Sequence, residues 1–432
     1  MMCLFHIIKR GITIENFLWI IFVIVILINS LYFSLKLKFP QLNIKDMIKN
    51  LREGTSKEMG ITSFETLFMS LASKIGVGSL SGISFAIYYA GIGVIFWIII
   101  FSFFISINSY LENYLASLYK VKDGKYYKGG PSYYIKYGMN KKILSNIYSI
   151  LLIFTYLFGF ITIQNNTITK FFYVTYNTNT YIVSLIVALF SCYFIFKGIK
   201  SISSLCSSLV PVMCIIYLIV GIVVFTLNIN NVPRFLSDIV TSAFSSTKSL
   251  NAGFLTSLIL GIKRGIFSSE AGLGSGAILC ACSSSKNPKK DGYLGVISTY
   301  FINIFITFLT GIIVYFSNYK ALNISNINGI EITRYAFNNL LGHFGDVMLL
   351  IIVVMFAVSS IITGYYYCEN GLKLFTSKKI LIFLLKLLTV IVIFLGGILS
   401  SSFIWNIIDI FILILSVINI YAIVKLKDKI KE

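Results

Sequence analysis

Glycine, serine and charge crowd into two short stretches of a chain that is otherwise apolar. The longer reads Gly261-Ile262-Lys263-Arg264-Gly265-Ile266-Phe267-Ser268-Ser269-Glu270-Ala271-Gly272-Leu273-Gly274-Ser275. The shorter reads Ala72-Ser73-Lys74-Ile75-Gly76-Val77-Gly78-Ser79-Leu80-Ser81-Gly82. Each interrupts a run long enough to cross a bilayer. Lipid cannot hydrogen-bond a backbone, so irregular polar chain at membrane depth survives only where protein or a water-filled cavity covers it. Two broken helices, one per half of the chain, form the pattern that places a binding site at the bilayer midplane of a secondary transporter.

The residue types at the breaks suit a zwitterion. Gly76 and Gly78 let the first break extend, so that amide N–H groups of Gly76, Val77, Gly78 and Ser79 are freed at the positive end of the next half-helix, where a carboxylate binds. Carbonyls at the half-helix ends, those of Ile75 and of Phe267, Ser268 and Ser269 included, are open to an ammonium or to Na+. Close packing through small residues is the competing reading, and for Gly82 the two stand level. Gln164, Asn165 and Asn166, and Ser359, Ser360 and Thr363, offer amide and hydroxyl oxygens to Na+ or an amine, or else bond between helices. Gln164 and Ser360 are read as functional. A carboxylate at the bilayer centre costs about 3 kcal/mol unless paired, so Glu270 is expected to lock onto Lys263 or Arg264 and hold the break open, in preference to titrating. Lys74 either meets a carboxylate or cavity, replacing a coupling cation, or snorkels to the interface. Glu112 and Glu369 are expected to pair with loop lysines. His6 and His343 are peripheral, and no nucleophile elbow, P-loop or zinc motif supports an enzyme.

The elements that must position these groups are membrane-spanning helices. The chain is 57% hydrophobic and 12% charged, against about 25% charged in soluble domains. Its net charge of +20 lies in short loops between apolar runs, which reads as topogenic charge and excludes a nucleic-acid partner. Cys206, Cys214, Cys280 and Cys282 sit in apolar segments as small hydrophobes, so neither disulfide nor metal is assigned. The expected spans are 17–37, 64–89, 92–118, 144–169, 180–196, 203–227, 250–282, 292–317, 345–370, 380–397 and 403–424, eleven in all. Lys9 and Arg10 precede the first, which lacks a signal-peptide cleavage site and is read as retained. Alternate loops divide Lys and Arg as 25 against seven, with four more inside spans. That count puts the N-terminus outside and the C-terminus in the cytoplasm of a cell-membrane protein. An extra helix and loop (1–62) then precede two five-helix halves (63–227 and 250–424), joined by an extracellular connection (228–249) and followed by a basic tail (425–432). Five is odd, so the two broken helices run in opposite directions, as in an inverted repeat. Short helices are expected at 238–244 and 332–340.

Several blocks resemble the alanine or glycine:cation symporters of the amino acid-polyamine-organocation superfamily. Residues 261–275 are close to that family's R-G-L-F-S-N-E-A-G-L-G-S, and Gly129-Gly130-Pro131-Ser132-Tyr133-Tyr134-Ile135 to its G-G-P-M-Y-Y-I. Gly91, Gly93, Phe96 and Trp97 match a G-x-G-x-x-F-W turn, and Gln164-x-Asn166 a Q-x-N. Phe356-Ala357 with Ser359, Ser360, Tyr367 and Glu369 resembles its F-A-x-S-T…Y-Y-x-E block. The resemblance implies uptake of a small neutral amino acid, typically alanine or glycine, with Na+ or H+ as the only accessory. Proton-coupled or uncoupled transport, a transporter-derived amino acid sensor, and an ion channel are the alternatives. Amides of Gly76–Ser79 are expected to hold the carboxylate, and Gln164 with the 267–269 carbonyls the amine. Ser359 and Ser360 are expected to bind Na+ against Ile75. The chain departs from the family where G-T-G-N becomes Gly76-Val77-Gly78-Ser79 and S-N-E becomes Ser268-Ser269-Glu270. A family histidine is also missing at Cys280-Ala281-Cys282. Those losses bear on the cation more than on backbone recognition of the amino acid.

Overall fold

The computed structural model describes residues 14–52, 61–245, 254–322, 324, 327–399 and 401–431, so that Lys9, Arg10, Lys57, Lys248 and Asn323 lie outside the described residues. The fold is almost wholly helical. A first helix, α1 (Ile14–Lys36), leads to the short amphipathic α2 (Ile44–Arg52). The first broken helix follows as α3 (Ser63–Lys74) and α4 (Ile83–Ala90), joined by a widened turn at Gly78–Gly82. Next come α5 (Val94–Leu118), an antiparallel hairpin of β1 (Val121–Asp123) and β2 (Tyr126–Lys128), and α6 (Lys142–Tyr176). Helices α7 (Thr180–Lys197) and α8 (Ile199–Leu227) close the first half, and the surface helix α9 (Val232–Phe244) crosses to the second. That half holds α10 (Phe254–Ser269), α11 (Gly276–Cys280), α12 (Pro288–Phe316), α13 (Gly329–Leu372), α14 (Lys379–Gly396) and α15 (Ser401–Lys425).

Among the described residues nine helices are long and apolar enough to cross a membrane, and the pair α3 and α4, bent by 50°, makes a tenth. The remaining expected crossing, 250–282, corresponds to α10 and α11, whose 16 and 5 residues are separately too short for a span. Burial is inverted relative to a soluble protein. On α7 the outward residues are Ile182, Leu185, Ile186, Leu189 and Phe190, while Ser184 and Ser191 are fully buried. Apolar side chains face lipid, and polar ones meet partners inside.

Within the bundle α5 packs along α12 and α6 along α13, while the broken helices lie between these pairs, α3 against α8, α11 and α13, and α10 against α4 and α5. Loops that the charge count assigns to one side do meet at one end. Lys36 donates to the Lys427 carbonyl, Lys120 to that of Ser283, and Lys141 to the Tyr421 hydroxyl. There the hairpin is tied to the end of α13, Lys373 Nζ lying 2.8 Å from both Asp123 and Glu369. At the opposite end Lys170 faces Glu331 at 3.4 Å and Arg334 faces Asp346 at 3.3 Å. The helix expected at 332–340 begins earlier, at Gly329, and continues through a kink at Gly342 into the eighth core span. The hairpin carries no apolar periodicity and was invisible in the sequence.

Candidate functional site

A capping box opens α3. Thr62 Oγ1 accepts from the Glu65 N–H at 3.1 Å, and the Glu65 carboxylate accepts from the Thr62 N–H at 2.8 Å. The helix stops at Lys74, the Gly76 N–H folds back to the Lys74 carbonyl, and Ser79 closes the turn by donating both its N–H, at 3.2 Å, and its hydroxyl, at 2.8 Å, to the Gly76 carbonyl, so the amides of Gly76 and Ser79 are not freed as expected but close the turn. The Val77 N–H turns sideways and donates to Gln164 Oε1 of α6 at 3.0 Å. Glycine is required here by close approach. A Cβ on Gly76 would lie 2.6 Å from Gln164 Nε2 and 2.7 Å from Ser360 Oγ, and one on Gly78 would lie 2.3 Å from the Phe267 ring. Gln164, Ser360 and Phe267, chosen from distant parts of the sequence, therefore converge on three residues of backbone.

The second break is built by left-handed backbone. Helix α10 runs to Ser269, whose hydroxyl caps it on the Gly265 carbonyl at 2.7 Å. Glu270 then adopts φ 56°, and Gly272 and Gly274 follow at 96° and 85°. Left-handed conformation costs a non-glycine residue about 1–2 kcal/mol, so Glu270 is held by its surroundings. Its carboxylate accepts from Ser275 at 2.9 Å and from Tyr367 at 3.0 Å. Phe267 stacks on Phe160 with centroids 4.6 Å apart and planes at 4°, and Phe160 stacks in turn on Tyr156. The Ser268 hydroxyl, on a residue 2% exposed, has no hydrogen-bond partner among the described residues.

The charges pair differently from the sequence expectation. Lys263 and Arg264 do not lock onto Glu270. They face Asp409 of α15, at 3.7 and 4.0 Å, and lie over the Trp19 and Phe85 rings. The reason is geometric, since six residues of helix separate Arg264 from Glu270 by about 9 Å along the axis and the left-handed residue turns the carboxylate toward α3. There it and the Lys74 ammonium flank Gly276, whose added Cβ would lie 3.8 Å from Glu270 Oε2 and 3.3 Å from Lys74 Nζ. Lys74 does not snorkel. It is 3% exposed and donates to Ser298 of α12 at 2.7 Å, with Gly276 bare beside both charges. Among the described residues Glu112 meets no loop lysine either. It is 2% exposed and accepts the Gly272 N–H at 2.8 Å and the Asn419 amide at 2.7 Å. Glu369 does take a lysine near the loop, Lys373.

Oxygen atoms gather where α3 ends beside α13. Ser360 Oγ donates to the Ala72 carbonyl at 2.9 Å, and Ser359 Oγ lies 3.0 Å from the Phe356 carbonyl and 3.4 Å from that of Ala72. Both serines are buried. This neutral set of hydroxyls, with the last-turn carbonyl of Ala72, fits a hard monovalent cation, which prefers oxygen. Asn165 and Asn166 take the structural alternative. With Thr169 they donate to the Ile393, Gly396, Leu399 and Gly397 carbonyls at the end of α14. Sequence reasoning passed over Asp409, although a lone carboxylate in an apolar span is the signal that flagged Glu270. It also passed over Phe160 and the carbonyls of Ala72 and Phe356, which carry no side-chain signature.

The family model described as the sodium:alanine symporter family matches residues 6–432. A Bacillus subtilis protein named probable sodium/glutamine symporter GlnT is 31% identical over 413 residues, covering 95% of this chain and 86% of its own. The sodium/alanine symporter AgcS of Methanococcus maripaludis is 28% identical over 408 residues, covering 92% and 90%. Among solved structures, MhsT in complex with L-phenylalanine matches with a TM-score of 0.58 at 14% identity, over 85% of this chain and 89% of that one. A Na+-coupled sialic acid symporter matches at 0.51 and 12% identity, over 94% and 82%. At such identities the likeness is one of fold.

Proposed function

Because the chain belongs to the sodium:alanine symporter family, we propose that it imports a small neutral amino acid, alanine or glycine, coupled to Na+ by alternating access around its two broken helices. One observation carries this reading: the three-residue break at Gly76–Gly78 is touched at once by Gln164, Phe267 and Ser360. Groups suited to an amino acid and groups suited to a cation thus act on one short piece of backbone.

The substrate carboxylate sits at the Gly78 N–H and draws the Ser79 N–H away from the Gly76 carbonyl, its partner at 3.2 Å, at the positive end of the half-helix that continues as α4. The ammonium faces Gln164 Oε1 and the carbonyls of Phe267, Ser268 and Ser269 at the negative end of α10, with the unpartnered Ser268 hydroxyl beside it. The parallel Phe160 and Phe267 rings close the side-chain space against Gly78, which favours alanine or glycine over a longer residue. Na+ is held by the hydroxyls of Ser359 and Ser360 and by the carbonyls of Ala72, Ile75 and Phe356. Its binding fixes the end of α3 and so orders the amides that grip the carboxylate, which is a coupling free energy shared by the two ligands. Lys74 and Glu270 brace the two breaks against each other. The halves 63–227 and 250–424 are inverted repeats in the cell membrane, with the N-terminus outside and the lysine-rich loops in the cytoplasm.

The test is uptake of labelled alanine into proteoliposomes with and without a Na+ gradient. Accumulation is expected to require Na+, to saturate, and to be competed by glycine more strongly than by glutamine. Uptake that ignores Na+ and follows pH moves the coupling to protons, and a Gly78→Leu protein that folds and still transports removes the carboxylate site.

A further inference from the structure

We propose that the lysine-rich end of the molecule holds a second binding site, remote from the breaks, for a phosphate-bearing anion. A cavity of about 390 Å³ lies between the exit of α1, the helix α2 and the start of α12. That is the size of a small-molecule site, roughly 300–1,000 Å³. Lys38, Lys49, Lys289 and Lys431 line it, and Asp46 is the one carboxylate among its described walls. Asp46 is already engaged, accepting from the Asn43 amide at 2.6 Å and from the Tyr293 hydroxyl at 3.4 Å. The exit of α1, the helix α2, the start of α12 and the tail thus bring like charges to one space, and an anion relieves their repulsion.

Two further features favour an oxyanion. The cavity is lined by Asn43 and Asn287, the residues at which α2 and α12 begin, so the positive ends of both helix dipoles lie at its wall. Asn287 caps α12 by accepting from the Lys289 N–H at 3.1 Å. The floor is Tyr110 against Tyr293, rings 5.3 Å apart and nearly perpendicular. Tyrosine is enriched at the headgroup level of a membrane. Along α2 the outward residues Ile44 and Ile48 are 66% and 46% exposed while Lys45 and Lys49 are polar neighbours, the arrangement of a helix lying in the interface. The cavity therefore opens where phospholipid phosphates lie, and a basic pocket at that depth suits an anionic headgroup or a dissolved phosphate.

Melting of the full chain in detergent, titrated separately with phosphatidylglycerol, phosphatidylcholine and inorganic phosphate, tests the site. Phosphatidylglycerol is expected to raise the melting temperature saturably and phosphatidylcholine to leave it unchanged. A response to inorganic phosphate as well assigns the site to the dissolved anion, and its absence assigns it to the lipid. Each lysine at an anionic surface is worth about fivefold in affinity, so K49Q/K289Q should weaken binding about 25-fold, while K378Q/K379Q, elsewhere on the same end, should bind as the unaltered protein does. Asp46→Asn should tighten binding, a sign that a merely damaged fold cannot give. Equal response to both lipids with none to phosphate, or a K49Q/K289Q protein that binds undiminished, overturns the proposal.

Discussion

Replacing Gly78 by alanine puts the central geometry under direct strain. The added Cβ falls 2.3 Å from Phe267 Cε1 and 2.5 Å from Cδ1, whereas carbon atoms rest about 3.5–4.0 Å apart. The ring must retreat within its own plane by more than about 1 Å, which slides it across its parallel stack on Phe160, whose centroid is 4.6 Å away. Overpacking of this kind costs about 1–3 kcal/mol, or roughly a five- to 150-fold rise in the KM for alanine if the strain falls on the substrate-bound state. Uptake of labelled alanine and glycine into proteoliposomes measures it, and glycine should suffer less because it asks for less space. The partner substitution decides the cause. Phe267→Leu removes the ring edge that the new methyl strikes, so G78A/F267L should recover much of the lost affinity, giving a coupling of more than about 1 kcal/mol. An alanine KM unchanged in Gly78→Ala, or a double variant no better than the single one, refutes the reasoning.

Asp409→Asn strips the buried anion from Lys263 and Arg264 and should destabilise the protein by about 3–5 kcal/mol, read as a lower melting temperature; Asp409→Glu, which keeps the carboxylate, should lose much less. Ser360→Ala removes a hydroxyl bonded to the end of α3 and should raise the Na+ concentration for half-maximal uptake about tenfold or more; an unchanged Na+ dependence eliminates the cation site. Gln164→Ala leaves the Val77 N–H unpaired at the break and should abolish uptake in protein that still reaches the membrane, which surface labelling checks. In the hairpin, burial pulls the Asp123 carboxyl up, but the Lys373 bond and charge, with Lys128, outweigh it and hold the group below its ordinary value of 3.8. Its contribution is therefore complete above that value and lost as pH falls through the lower folded one. The stability gap between the unaltered protein and Asp123→Asn should close below about pH 4.

Lys74, Gly76, Gly78, Gln164, Phe267, Glu270 and Ser360 were legible in the sequence because each breaks a rule of lipid-immersed chain or sits beside a residue that does: charge, glycine or amide where apolar residues belong. The same rule found the breaks themselves and most span positions. It failed on pairing. Which cation meets which carboxylate depends on how helices far apart in the chain lie together, and nothing local to residue 264 points to residue 409. It failed also on the hairpin at 121–128, whose short strands depend on lysine pairs to α13, and on backbone carbonyls, which every residue possesses and only geometry singles out. Asn165 and Asn166 show the opposite error in kind, being conspicuous by residue type yet occupied in joining helices.

That joining limits what can move. Asn165, Asn166, Thr169 and Ser184 satisfy five contacts to carbonyls between Ile393 and Leu399. Hydrocarbon offers those carbonyls no replacement partner, and each such bond is worth about 0.6–2 kcal/mol. Separating α14 from α6 and α7 would forfeit all of them together, so these three helices form a fixed post throughout a transport cycle. Rearrangement is left to the parts that touch the post through smooth apolar surfaces and single contacts, and a spin-label pair on α6 and α14 should keep one distance whichever way the site opens.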